Sequence, residues 1–274
     1  MTATIPATMT ALTLSFAATI AMLPAALRPL RRTDAGRDAL FWWLLGVAVV
    51  GPVADVAVEL SGGWHTGLSA TLWVTVAASA LLFAGLSVGI REAWRLTPLM
   101  LGYLIVLAVI ATAWTLAPAS ARVAIPVGTW LLVHIVLSVA AYALATGAAV
   151  AGVAVFLQER ALKAKRPTRL TAILPSIADA ERLQIGLLAA ACVVLGVDIL
   201  SGMAVELVSS GRLMEFSHKT LLTVLAFAVI AGLLVLHHRT GMRGRRAARL
   251  VLLAYLLLTL GYPGVKFVTD VLMA

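Results

Sequence analysis

Two histidines stand where this chain is otherwise most apolar. His134 lies inside a run from Val123 to Gln158 that carries no charged side chain, and His218 opens another apolar run after Glu215-Phe-Ser. The first run is longer than the about 20 apolar residues that cross a bilayer. An ionisable group in such a place is costly, usually faces the protein interior and usually has a partner. The spacing predicts that both imidazoles lie near the same membrane face on different helices, so His218 is the candidate partner of His134. Two imidazoles facing each other across a gap are the usual axial pair for haem iron, and neutral imidazole is a standard iron ligand. Lys219, Arg212 or Arg122 would neutralise propionates at that surface. The residues alone leave two plainer readings open: His218 as only a polar residue at the membrane surface, and a helix-to-helix hydrogen bond for His134.

The other titratable groups fit less neatly. His237 and His238 end an apolar run beside Arg239, where interfacial anchoring and a favourable cation at a helix C-terminus explain them. His65 follows Trp64 in a short loop, either next to an aromatic-belt residue or as a further contact at the same face. Asp55, Glu59, Asp198 and Glu206 fall in or near apolar runs, and with Lys266 they would form ion pairs or a proton path. Trp42-Trp43 opens a run where aromatic belts are common.

Composition says what must hold these groups. The chain has 274 residues, 62% of them hydrophobic and 12% charged, with a mean hydropathy of +1.02. Soluble domains carry about 25% charged residues. The chain therefore reads as an integral membrane protein. Its net charge of +9 does not point to nucleic acid, because the basic residues fall in short loops between apolar runs. The single cysteine, Cys192, excludes a disulfide within the chain and a Cys-x-x-Cys thiol pair. The first 27 residues have no basic n-region, so the first apolar segment is expected to stay as a helix rather than be cleaved.

The expected fold is all-α and polytopic. Eight spans are read, at about 8–27, 40–60, 68–90, 97–116, 125–157, 183–208, 216–237 and 248–273. Barrel strands would alternate apolar and polar residues, whereas continuous apolar runs require helices. Seventeen of the 21 Lys and Arg fall in the loops after spans one, three, five and seven, while Arg122, Arg212, Lys219 and Lys266 lie on the opposite side. Positive residues stay cytoplasmic, which puts both termini outside and His134 and His218 in the outer half. Gly147, Ala148, Ala151, Gly152, Gly196 and Gly202 would let helices approach closely. Pro52 and Pro263 would kink their helices or free carbonyls. One membrane domain is expected over 1–274, with four helices in 1–122 and four in 123–274.

At these residues the second half of the chain resembles a known family. The blocks are Leu131-Leu-Val-His134-Ile-Val-Leu-Ser-Val-Ala-Ala-Tyr142-Ala, Leu157-Gln-Glu-Arg160, Glu181-Arg182-Leu and Ser217-His218-Lys219-Thr220-Leu-Leu. Leu236-His237-His238-Arg239, Gly241-Met-Arg-Gly244-Arg-Arg-Ala and Gly261-Tyr-Pro-Gly264-Val-Lys-Phe continue the order. Together they are similar to the haem-handling cytochrome c assembly proteins of the CcsA/CcmC type, and more closely to their HemX-like eight-helix branch. The first four spans match only in character.

That resemblance implies a non-covalent b-type haem held near the outer face by His134 and His218, with Lys219 beside it. It implies a bacterial inner-membrane protein that moves haem or presents it to apocytochrome c, alongside other maturation proteins. Fuller members carry a tryptophan-rich outer loop with a Trp-Asp pair and an inner histidine pair. Here Ser209 to Glu215 is short and free of tryptophan, and His237 fits one half of the inner pair. What remains implies a haem-binding accessory protein or a regulator of haem synthesis or delivery. No nucleophile with an adjacent base is visible, so no enzymatic turnover is expected. The rival reading is a secondary transporter for a small solute or proton, built on Asp55 with Pro52 and Asp198 with Gly196. A structural subunit of a larger membrane complex is the third.

Overall fold

A computed structural model describes residues 4–31, 36–61, 67–115, 128–211, 217–242 and 244–264. It forms two compact units, residues 1–126 and 127–273. Every regular element among the described residues is helical. Seven helices there are long and apolar enough to cross a membrane. Large apolar side chains cover their outer surfaces, among them Trp43, Val50, Val88, Trp130, Val193 and Leu200. Such a surface suits acyl chains rather than water. The protein is an all-α, multi-pass membrane protein.

The first unit holds α1 (Thr4–Arg31), α2 (Ala39–Ser61), α3 (Leu68–Gly89) and α4 (Thr97–Trp114). They pack in a ring, α1 on α2, α2 on α3, α3 on α4 and α4 on α1. Gly51 lets α1 and α2 touch: a Cβ there would stand 3.2 Å from the Ala18 Cα. Beside that contact Ser15 donates to the buried Asp55 carboxylate at 3.0 Å. At the α1–α2 connection the Asp38 carboxylate accepts from Phe41 N–H at 2.8 Å and so caps α2. The Arg28 hydrogen bond to Asp38 holds that carboxyl below its ordinary range.

The second unit holds α5 (Thr129–Ala164), the short α6 (Arg169–Ile173), α7 (Ile177–Ser210), α8 (His218–Thr240) and α9 (Arg245–Thr259). Its four long helices also close a ring, α5 on α7, α7 on α8, α8 on α9 and α9 on α5. Side-chain pairs show that neighbours run antiparallel. Along α5, His134, Ser138 and Gly152 meet Ser201, Asp198 and Gln184 of α7 in reverse order. In lipid no hydrophobic force separates helix from solvent, so close packing of small residues must carry the association. The α5 face does this with Ala141, Ala145, Ala148, Ala151 and Ala154, each at most 2% exposed.

Helix ends differ from the expected spans for local reasons. α5 runs on past Leu157 to Ala164, because Gln158, Glu159, Arg160 and Lys163 are good helix formers. Lys165 then closes it in the left-handed region at φ 52°. α7 starts at Ile177, six residues before the apolar run, because Ser176 accepts from Asp179 N–H and caps it. At 1.5 Å per residue both helices exceed the about 30 Å hydrocarbon layer. The expected eighth span begins as α9 and loosens into a wider π turn at Leu260–Gly264, around Pro263. Its continuation lies outside the described residues, as do His65, Arg122, Arg212 and Lys266.

Candidate functional site

Helix α5 carries a polar stripe through its apolar length. His134, Ser138, Tyr142 and Thr146 recur every fourth residue, which puts them on one face. The stripe spans about 18 Å along the axis at 1.5 Å per residue. Each member finds a partner on a neighbouring helix. Ser138 donates to Asp198 Oδ1 at 2.6 Å. Tyr255 of α9 donates to the Tyr142 hydroxyl at 3.0 Å, and Tyr142 lies 3.1 Å from the Thr259 hydroxyl. Thr146 donates to Tyr255 at 3.1 Å. In a medium without water each of these groups needs a partner, and the stripe supplies them in register.

His134 is the best-defined of these groups. Its Nδ1 lies 3.0 Å from Asp198 Oδ1 and 2.9 Å from Ser201 Oγ. Ser201 already donates its hydroxyl hydrogen to the Asp198 carbonyl at 2.8 Å. It can therefore only accept from the imidazole, and Asp198 Oδ1, which already accepts from Ser138, accepts from it likewise. Both contacts require hydrogen on Nδ1. The neutral ring then carries its lone pair on Nε2, and among the described residues no hydrogen bond reaches that atom. Gly202, on the same helix as Asp198 and Ser201, makes room for the ring. A Cβ at Gly202 would stand 3.0 Å from His134 Cε1, closer than ordinary contact allows.

The imidazole borders a cavity of about 360 Å³. Ser138 and Tyr142 of α5, Asp198, Met203 and Glu206 of α7, and Ser217, Thr220 and Thr223 at the start of α8 share its lining. Leu131, Leu195, Ile199, Val224 and Leu258 supply the apolar walls. Asp198, Gly202 and Glu206 sit four residues apart, so α7 turns one acidic face to this space. The volume falls in the usual range of small-molecule sites, about 300–1,000 Å³. Among the described residues no three His, Cys, Asp or Glu side chains gather closely enough to cage a bare metal ion. A single imidazole with its other nitrogen anchored, set in a largely apolar wall, suits a flat metal-bearing macrocycle better.

The remaining sequence candidates fall elsewhere. His218 is exposed at the first residue of α8, capped by Ser217, which accepts from Thr220 N–H at 3.3 Å. It is adjacent in sequence to cavity-lining Ser217 and two residues from Thr220, and is not itself a lining residue. Lys219 follows it in the same first turn. His237 donates Nδ1–H to the Met242 carbonyl at 2.8 Å, which ties down the turn after α8. His238 packs edge-on against it. Asp55 belongs to the first unit, bonded to Ser15. Trp42 carries the Arg37 guanidinium over its ring, and Trp43 is exposed.

Sequence alone does not show what holds His134. Asp198 stood among the proton-path acids, and it is the group that anchors the imidazole. Ser138, Ser201, Tyr255 and Thr259 were not singled out. A usable signal existed in the four-residue repeat that begins at His134 and in Tyr255 with Thr259 on α9.

A family model described as cytochrome c assembly protein matches residues 63–273. The chain belongs to this family. Membership places it in cytochrome c biogenesis. A curated relative from Azospirillum brasilense is 52% identical over 263 residues, covering 94% of this chain and 97% of the relative. That relative is described as an uncharacterized 28.8 kDa protein in the nifR3-like 5' region. No solved structure matches the chain. The family match reaches back to residue 63, so it takes in α3 and α4 as well as the whole second unit.

Proposed function

We propose that this assembly protein is a haem-binding accessory protein of the bacterial inner membrane, without enzymatic turnover. In this reading a non-covalent b-type haem sits between His134 and His218 near the outer face. The observation that carries it is His134 itself: Nδ1 held by Asp198 and Ser201, Nε2 bearing the lone pair, at the edge of a cavity of about 360 Å³. Haem-ligating histidines commonly donate their other N–H to a carboxylate or hydroxyl, which fixes tautomer and ring plane.

Haem supplies the redox-active iron and the vinyl groups that apocytochrome thiols attack. This chain's residues do the holding. His134 would present Nε2 to the iron from α5. His218 would approach from the start of α8, beside the lining residues Ser217 and Thr220. The apolar wall of Leu195, Ile199 and Val224 would take the macrocycle's faces and exclude water. Asp198 and Glu206 on the cavity wall would favour a cationic iron over the carboxylates of the propionates. Lys219, in the first turn of α8, would be the cation that receives them. The Lys and Arg distribution supports an outer position for this end of the bundle. The attachment chemistry would rest on the cofactor and the apocytochrome.

The test is genetic and chemical together. A strain lacking the protein should show reduced covalently attached haem in its c-type cytochromes. The parent gene should restore it, and His134→Ala should not. Full cytochrome c haem content in the deletion strain would sink the proposal. A loss that His134→Ala restores as well as the parent would sink the haem site alone.

The rival transporter reading rests on two acids that both have partners. Asp198, one of its two midplane acids, is engaged with His134 and Ser138. Asp55 remains, hydrogen-bonded to Ser15 inside the first unit.

A further inference from the structure

We infer that Asp198 makes this site select ferric over ferrous haem. The inference rests on haem ligation at His134 and deepens it by naming the oxidation state of the cargo. Four contacts converge on one carboxylate–imidazole pair. Asp198 Oδ1 accepts from His134 Nδ1 at 3.0 Å and from Ser138 at 2.6 Å. Ser201 takes the second share of the Nδ1–H at 2.9 Å while its own hydrogen is committed to the Asp198 carbonyl. Gly202, which has no side chain, gives the ring room to sit against α7. Asp198 is 5% exposed, so little water screens the pair.

The chemistry follows from charge. A carboxylate that accepts the imidazole N–H draws the hydrogen toward itself and leaves more electron density on Nε2. A stronger σ-donor stabilises the oxidation state with the higher positive charge. The ferric porphyrin core carries one more positive charge than the ferrous one, and Asp198 and Glu206 both face the cavity that would receive it. By linkage, tighter binding of the ferric form and a lower reduction potential are the same quantity.

Ser138 provides an internal control of sign. Its short hydrogen bond takes up part of the Asp198 charge. Removing the Ser138 hydroxyl leaves a stronger acceptor for His134. Removing the Asp198 charge leaves a weaker one. The two substitutions therefore move the preference in opposite directions, which general loosening of the cavity would not do.

The experiment uses the full chain in lipid nanodiscs loaded with haemin, titrated potentiometrically with optical detection. Asp198→Asn is expected to reduce the ferric preference about tenfold, an upward shift of about 59 mV for one electron. Ser138→Ala is expected to shift it downward, and this variant carries the test if Asp198→Asn fails to fold. Nitrogen-15 shifts of His134 in the haem-free protein give a readout independent of loading. The parent should show hydrogen on Nδ1, and Asp198→Asn should keep that tautomer through Ser201 while its Nδ1 shift moves to that of a weaker hydrogen bond. A haem-binding Asp198→Asn with the parent's potential overturns the inference and leaves the haem site standing. Both variants moving the same way overturns it too. A parent that takes up no haem overturns the proposed function and this inference together.

Discussion

Replacing Gly244 by alanine separates backbone strain from side-chain crowding. Gly244 precedes the first turn of α9 with φ 67° and ψ −146°. That combination is essentially restricted to glycine and costs any other residue about 1–3 kcal/mol. A Cβ there would also stand 2.5 Å from Glu159 Oε1. The second effect is the cheaper one, because Glu159 Oε1 ends a flexible, half-buried side chain that can rotate away. The backbone N–H of Gly244 donates to Glu181, so turning the peptide to relieve φ would break that charge-assisted bond as well. Strain should therefore dominate, with a total loss of about 2–4 kcal/mol. The assay is thermal or denaturant unfolding in detergent, followed by helical circular dichroism, with Gly244→Ala beside Gly244→Ala/Glu159→Ala. The double variant should recover less than half of the loss. Recovery to the parent's stability would refute the strain argument and assign the effect to Glu159. A single variant as stable as the parent would refute the geometry itself.

Three further outcomes follow from the packing. Gly202→Val should push the His134 ring away from α7 and lower haem affinity about 10–100-fold, as outer-shell changes at metal sites do; equilibrium haemin titration reads this. Tyr142→Phe removes the hydroxyl shared by Tyr255 and Thr259; unfolding should show a loss of about 1–2 kcal/mol, with the haem-free fold otherwise intact. Gln158→Leu removes the amide that donates to the carbonyls of Thr171, Leu174 and Pro175. Hydrogen exchange in residues 165–176 should then accelerate about tenfold while the α5 core near Ala148 keeps its protection.

Much of the fold was legible because lipid leaves few choices. Continuous apolar runs must be helices, so α1 to α5, α7 and α8 could be read from hydropathy alone. Boundaries were not legible where polar residues continue a helix beyond the lipid, as Gln158 to Ala164 do in α5. Nor could hydropathy reveal that Ser176 starts α7 upstream of its apolar run. At the site, His134 stood out because an imidazole in an uncharged run is expensive. Its partner did not, because Asp198 lies 64 residues away on α7 and only the antiparallel register of α5 and α7 brings the two together. Composition had suggested that an acid inside a span meets a basic residue such as Lys266. Among the described residues Asp198 meets hydroxyls and an imidazole, and Lys266 lies outside them. Ser138 was hidden for a different reason: serine is common in helices, and its role shows only when the four-residue spacing from His134 is taken with the α7 register.

The most direct test of the haem site is the visible and electron paramagnetic resonance spectrum of the full chain purified in mild detergent with added haemin. The parent should be compared with His134→Ala and His218→Ala. The account predicts a low-spin spectrum in the parent with sharp reduced bands, and a change to high-spin or loss of haem in each variant. A parent that stays colourless after haemin is added contradicts the account. A low-spin spectrum unchanged in His134→Ala would move the haem away from the cavity between α5, α7 and α8.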